Sequence, residues 1–302
     1  MPEILQAKNL YKSFGKFVAV NNLSFTLKEG EILGFMGPNG AGKTTTIQML
    51  LGALTPTSGE VFYFGKNLKR HREQILEEVN FSSTYTSLPT DLTVWENLHF
   101  VSYLYKIGDR KKRVEELLNI FKLKDLRNQR VTTLSAGQIT RVNVAKAFLN
   151  YPKVLLLDEP TASLDPDVAS YIREFILKER KAFKVSIVFT SHNMSEVEEL
   201  CDRVIFINQG KVVSDDTPEN LARTIELCHV ELLVKDNNKL IDFCKKQNFA
   251  YSLEGKHIIV DVKEKAVADF LQNLTAGGIS YDEISIEKPT LEDYFIQNST
   301  KL

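Results

Sequence analysis

The chain has 302 residues, of which 43% are hydrophobic and 25% charged; these ordinary values exclude wholesale disorder and leave room for a large core plus a second, smaller domain. Lys and Arg number 38 against 39 Asp and Glu, a formal charge of -1, so the strongly basic footprint of a nucleic-acid binder is missing and no nucleic-acid partner is expected. The three cysteines (Cys201, Cys228, Cys244) have no Cys-x-x-Cys spacing, which argues for free thiols in a reducing compartment and against a disulfide framework or zinc cluster.

From the N-terminus, the first residues lack the basic start and apolar stretch of a signal peptide, and no apolar run approaches the length of a bilayer span. A cytoplasmic chain, at most peripheral to a membrane, is the expectation. Short apolar runs alternate with longer amphipathic stretches, which predicts an α/β fold with a largely parallel sheet. Strands are expected at residues 32–36, 61–64, 154–157, 185–190 and 204–207, with a helix over 45–54. The runs around Leu155 and Ile187 are apolar on both faces, as strands buried between helix layers should be. Capping boxes at Thr93/Glu96 and Ser135/Gln138 start two helices, the second expected to run until Pro152 forbids continuation. Residues 90–129 are mostly helical in pattern and interrupt the strand–helix alternation, so they are expected to belong to an inserted helical subdomain. Its run Arg110-Lys111-Lys112-Arg113 reads as a solvated helix face rather than a nucleic-acid or lipid patch. After Thr217-Pro218 the pattern changes to strand 231–234, helix 240–247, strand 257–262, helix 266–274 and strand 280–286, a small α+β domain of ferredoxin-like type.

The chemistry concentrates in Gly37-Pro38-Asn39-Gly40-Ala41-Gly42-Lys43-Thr44, which fits G-x-x-x-x-G-K-[ST] between a predicted strand and a helix opening near Thr45. Glycines are needed there because backbone N–H groups must close on phosphate oxygens with no side chain intervening. The helix N-terminus adds positive potential, Lys43 is expected at the β- and γ-phosphates, and the Thr44 hydroxyl on Mg²⁺. Downstream, the apolar run 154–157 ends in Asp158, a candidate for the Mg²⁺ shell, and Glu159 follows as candidate general base for a water in line with the γ-phosphate.

With these residues in view, the first 220 or so positions resemble the nucleotide-binding subunit of ATP-binding-cassette (ABC) transporters. The discriminating element is Leu134-Ser135-Ala136-Gly137-Gln138, similar to the family signature Leu-Ser-Gly-Gly-Gln, with Arg141 after it. The resemblance implies a P-loop cassette fold with a parallel-sheet core, an antiparallel β subdomain and an inserted helical subdomain at about 85–150. It implies that Ser135, Gly137 and Gln138 face the γ-phosphate of ATP bound by a second subunit, so that two ATPs are sandwiched in a homodimer. By the same resemblance Tyr11 would stack on adenine, Ser163-Leu164-Asp165 would cross the dimer interface, and His192 would contact the γ-phosphate. The family's glutamine between core and helical subdomain is missing from Val79-Asn80-Phe81-Ser82-Ser83-Thr84-Tyr85; the position falls near Thr84, whose hydroxyl could still reach Mg²⁺ through water. Pro289-Thr290-Leu291-Glu292-Asp293-Tyr294-Phe295 is similar to the ending of cassette subunits from drug- and antibiotic-export systems.

These readings predict a cassette at residues 1–222 and an accessory domain at 223–302, binding ATP and Mg²⁺. The expected function is an ATPase motor, an exporter subunit at the cytoplasmic membrane face that drives a separate integral-membrane permease. The coupling surface is expected near residues 84–95, with Trp95 packing into the subdomain's own core. Two other readings remain at this stage: a nucleotide-gated subunit with little or no hydrolysis, prompted by the missing glutamine, and a soluble non-transport cassette ATPase.

Overall fold

Two segments with interrupted alternation open the chain as an antiparallel hairpin, β1 (Glu3–Phe14) and β2 (Phe17–Lys28), in the computed structural model, which describes residues 2–83, 87–162 and 164–300. Neither strand was among those expected. Register shifts between Ala7 and Leu10 and between Leu10 and Lys12 break the period of two on which a strand is recognised. Next come β3 (Ile32–Met36), α1 (Lys43–Leu50), β4 (Ser58–Tyr63), β5 (Lys66–Asn67), α2 (Arg72–Leu76) and β6 (Val79–Ser83). Helix α1 stops short of residue 54 because Gly52 adopts φ 65, a left-handed terminator. Strand β4 likewise ends at Tyr63, since Phe64 at φ 53 turns the chain into Gly65.

The helical insertion contains α3 (Val94–Ser102), α4 (Arg110–Ile120) and α5 (Ala136–Ala147), and both predicted capping boxes are formed, on Thr93 and Ser135. Helix α5 ends five residues before Pro152, not at it. Tyr151, disfavoured in the right-handed helical region by the proline after it, sits at φ 49, and the Asn150 amide donates to Glu77 O instead. The basic run of α4 also departs from the reading of a solvated face. Lys111 and Lys112 are exposed, but Arg113 is 8% exposed and donates to Phe148 O and Leu149 O just past the C-terminus of α5, where a cation satisfies orphan carbonyls. Trp95 stays within the subdomain, stacked on His99 at 4.4 Å with its indole N–H donating to Glu115 at 2.9 Å.

The remaining elements of this part are β7 (Val154–Asp158), α6 (Pro166–Phe183), β8 (Ser186–Thr190), α7 (Met194–Leu200), β9 (Arg203–Asn208) and β10 (Lys211–Asp216). Strands order β10-β9-β3-β8-β7-β6, parallel except for the antiparallel edge β10. Every residue of β3, β7 and β8 is buried, as a sheet covered on both faces requires. The antiparallel sheet β2-β1-β4-β5 shares this core, with Leu5, Leu23 and Phe25 joining Leu33, Phe35 and Leu156. Phe25 meets Phe35 edge-to-face at 5.0 Å. The parallel register aligns Phe35, Thr190, Asp158 and Ser83 in one row at the carboxyl ends of β3, β8, β7 and β6. Ligands of open α/β sheets bind beyond that edge.

The chain divides into two units, Met1–Pro218 and Glu219–Leu302. After α8 (Pro218–Arg223), the second holds β11 (Leu227–Val234), α9 (Asn237–Gln247), β12 (Tyr251–Glu254), β13 (His257–Lys263), α10 (Val267–Ala276), β14 (Tyr281–Glu287) and α11 (Leu291–Thr300). Its β-α-β-β-α-β order and antiparallel sheet β12-β13-β11-β14 make a split β-α-β arrangement. Val230, Leu232, Ile258 and Val260 pack with Leu240, Cys244, Phe270 and Leu274. Strand β12 escaped sequence reading because three of its four residues are exposed, leaving no apolar alternation to find. Among the described residues no helix is long and apolar enough to cross a membrane.

Candidate active site

The loop between β3 and α1 bends on glycines that tolerate no side chain at two points. A Cβ on Gly37, at φ 143, would lie 2.0 Å from Ile207 O, and one on Gly42, at φ 104, would lie 2.5 Å from Ala19 O. The loop thereby presses against β9 and β2 and opens onto a cleft of about 210 Å³. Asn39, Gly40, Ala41, Gly42, Lys43, Thr44 and Thr45 line it from one side, and Asp158, Glu159 and His192 from the other. The structure thus brings together most of the predicted site, with Gly37 and Pro38 as the base of the loop.

Lys43 folds back over this loop, its ammonium donating to Gly37 O at 2.6 Å and Pro38 O at 3.1 Å. Burial pulls its pKa below the ordinary lysine value, opposed by the charges of Glu159 and Asp158. An anion arriving in the cleft would add to these carboxylates and further favour the ammonium. Asp158, 6% exposed, accepts from the Thr190 hydroxyl at 2.7 Å and from Ser83 Oγ at 3.3 Å, so neighbouring strands of the aligned row aim it. Glu159 stands at φ 52, a left-handed conformation that costs a non-glycine residue about 1–2 kcal/mol. Its N–H donates to Thr190 O and Oγ1, at 3.1 and 3.0 Å, which offsets part of that cost and points the carboxylate into the cleft. There Glu159 Oε1 lies 2.8 Å from His192 Nε2.

The donor set suits a hard cation: Asp158 and the Thr44 hydroxyl line one cleft, and no cluster of three or more His, Cys, Asp or Glu ligands exists among the described residues. Mg²⁺ is characteristically held by one or two protein oxygens together with phosphates, so these residues fit it. Thr84, expected as a further contact, and Ser163 lie outside the described residues.

Two groups of predicted residues are not in this cleft. Tyr11 is half-buried in β1, paired across to Ser58, and does not line it. The aromatic on the cleft wall is Phe17, 62% exposed and cross-strand partner of Phe14, itself 50% exposed. Phe17 opens β2, a strand that was not expected, so spacing from the loop did not point to it. Ser135, Gly137 and Gln138 begin α5 away from the cleft lining, and two of their side chains are engaged locally: Ser135 Oγ accepts from Gln138 N–H, while Gln138 Oε1 accepts from Ser135 N–H. Thr190 was missed altogether. Its position at the end of a buried parallel strand, beside the strand ending in Asp158, was the available signal.

The ABC transporter family model matches residues 20–162. The chain is 33% identical to the bacitracin transport ATP-binding protein BcrA of Bacillus licheniformis, over 98% of this chain and 97% of that one. It is 31% identical to the linearmycin resistance ATP-binding protein LnrL of Bacillus subtilis, over 97% of each. Among solved structures it resembles the ATP binding subunit of an ABC transporter, with a TM-score of 0.68 at 25% identity over 73% of this chain and 92% of that one. A dimeric post-hydrolysis ATP-binding cassette bound to ADP and Pi matches with a TM-score of 0.66 at 26% identity, over 71% of this chain and 98% of that one.

Proposed function

The chain belongs to the ABC transporter family as an ATP-binding subunit, and from that premise we propose that it hydrolyses ATP to drive export through a separate integral-membrane permease. The observation carrying this reading is the convergence, in one cleft, of the glycine loop with Lys43, the strand-end Asp158 and the Glu159–His192 pair. The loop amides and Lys43 would bind the β- and γ-phosphates, and Thr44 and Asp158 would hold Mg²⁺, which when bound neutralises phosphate charge. Glu159 would take a proton from water as the water's oxygen bonds to the γ-phosphorus and the bond to the ADP oxygen breaks. His192, at 2.8 Å, orients that carboxylate and can donate to the γ-phosphate. Phe17 and Phe14, rather than Tyr11, offer the exposed ring surface for adenine.

Export is supported by relatives named for bacitracin transport, linearmycin resistance and Nod factor export, which align over 97% or more of this chain, the second unit included. On this reading it would work at the cytoplasmic membrane face, on a permease. Ser135 and Gly137 would complete the site of a second copy, giving a homodimer closed by two ATPs. The deciding experiment is Mg²⁺-dependent ATP turnover by the purified chain and by Glu159→Gln. Loss of a general base predicts about 10²- to 10⁴-fold slower turnover with ATP still bound. Unchanged turnover in Glu159→Gln would remove the proposed chemistry.

A further inference from the structure

Behind the Glu159–His192 pair lies a carboxylate that the proposed chemistry does not use. Glu196, in α7, is 5% exposed. Its Oε2 accepts from Thr161 Oγ1 at 2.6 Å and from Ser191 Oγ at 2.8 Å, while Oε1 pairs with Arg173 Nη1 of α6 at 3.1 Å. Arg173 is itself fixed to Glu199 at 2.7 Å, and Ser191 Oγ also accepts from Asn193 N–H at 3.0 Å. Thr161 follows Glu159 by two residues and Ser191 immediately precedes His192, so a single carboxylate oxygen ties together the two loops that carry the pair.

We infer that Glu196 is a positioning residue for ATP hydrolysis, holding Glu159 and His192 in register through the hydroxyls of Thr161 and Ser191. The inference rests on the proposed roles of Glu159 and His192. Three features make the tie necessary. A recess of about 420 Å³, flanked by Glu159, Thr161, Ser191, His192 and Glu196, borders both loops, so part of each faces open space rather than packed side chains. Glu159 is held at φ 52, so an unrestrained loop has a lower-energy backbone to relax into. Finally, a buried carboxylate–guanidinium pair adds little to stability that apolar packing could not supply, whereas directed hydrogen bonds fix geometry. A shift of about 1 Å between reacting groups can slow a reaction by about 10²-fold.

The test uses the full chain and measures kcat, KM and ATP affinity, with thermal melting as the control for folding. Thr161→Val removes one hydroxyl at constant shape and Ser191→Ala removes the other, and both leave the Glu196–Arg173 pair in place. Each is expected to lower kcat about 10-fold, and the two together little further, because either substitution severs the same tie, with KM and ATP affinity held within about twofold. Thr161→Ser, which keeps the hydroxyl, recovers most of the rate. Full kcat in the double variant, with wild-type turnover intact, overturns the inference while sparing the proposed function. A fall in ATP affinity parallel to kcat, or no recovery in Thr161→Ser, also overturns it, since packing would then explain the loss. If the wild-type chain turns over no ATP, or Glu159→Gln matches it, the proposed function fails and this inference falls with it.

Discussion

Individual side chains of the cleft are held by bonds whose removal has calculable consequences. Thr190 receives the Glu159 N–H and donates to Asp158, so Thr190→Val, equal in shape, leaves a buried carboxylate oxygen and a strained amide without that partner. The expected result is about 1–3 kcal/mol lower stability in urea unfolding, together with slower ATP turnover. A variant as stable as the wild type would show that Thr190 is incidental to both loops. The aromatic wall is a second case. Phe14 and Phe17 face each other across the hairpin end and are the exposed rings there, whereas Tyr11 is half-buried in β1 and does not line the cleft. Stacking of a base on an aromatic ring is worth about 1–3 kcal/mol. Replacing both phenylalanines with alanine should therefore raise the ATP dissociation constant by about 5- to 150-fold by calorimetry, and Tyr11→Ala should leave it unchanged. The reverse ranking would restore Tyr11 as the adenine contact.

Secondary-structure elements bring their own dependence on pH. In the second unit, His229 of β11 stands between Asp261 of β13, at 2.8 Å, and Asp293 of α11, at 3.0 Å. Burial alone would lower the pKa of His229, but the hydrogen bonds and charges of both aspartates outweigh it and raise the value above 6.5. Burial would raise Asp293, yet Thr290 and His229 hold it below 3.8. A histidine raised in the folded state contributes stability fully below its unfolded pKa of 6.5 and loses it as pH climbs through the folded value; the aspartate's share is lost as pH falls below 3.8. Thermal melting of the full chain should thus show the second unit weakening above pH 6.5, and His229→Gln should flatten that slope. A slope that survives the substitution would assign the effect elsewhere. This clamp joins residues 229, 261 and 293, far apart in sequence, which is why Asp293 was visible only as part of a terminal motif. The same reason divides what was legible elsewhere. The glycine loop, Asp158 with Glu159 and both capping boxes are local patterns, each readable from adjacent residues. Strands β1 and β2, the burial of Arg113 and the aim of Thr190 depend on bulges, helix ends and parallel register. Those belong to the assembled core and leave no local period to detect.

At the level of the whole molecule, the residues assigned to the nucleotide do not all meet within one chain. The first unit carries its glycine loop in one cleft, while Ser135, Gly137 and Gln138 cap α5 outside that cleft's lining. The Ser135 hydroxyl and the Gln138 amide satisfy each other's backbone N–H groups, so the first helical amides, those of Ala136 and Gly137, are left with no intrahelical partner. Such amides, with the positive end of the helix, attract phosphate. A phosphate bound by another copy's loop would satisfy them, and on the proposed reading closure of a dimer would be conditional on ATP. In the Glu159→Gln background, where ATP persists, light scattering should show the mass double on adding ATP. Adding Gly137→Asp sets a carboxylate against the incoming phosphate, so the double variant should bind ATP and remain a monomer. The substitution lies far from the glycine loop of its own chain in sequence and outside its cleft, so loss of dimer with retained nucleotide separates the two roles. If the double variant dimerises as readily as Glu159→Gln alone, the α5 amides do not reach across, and the two copies must associate through another surface.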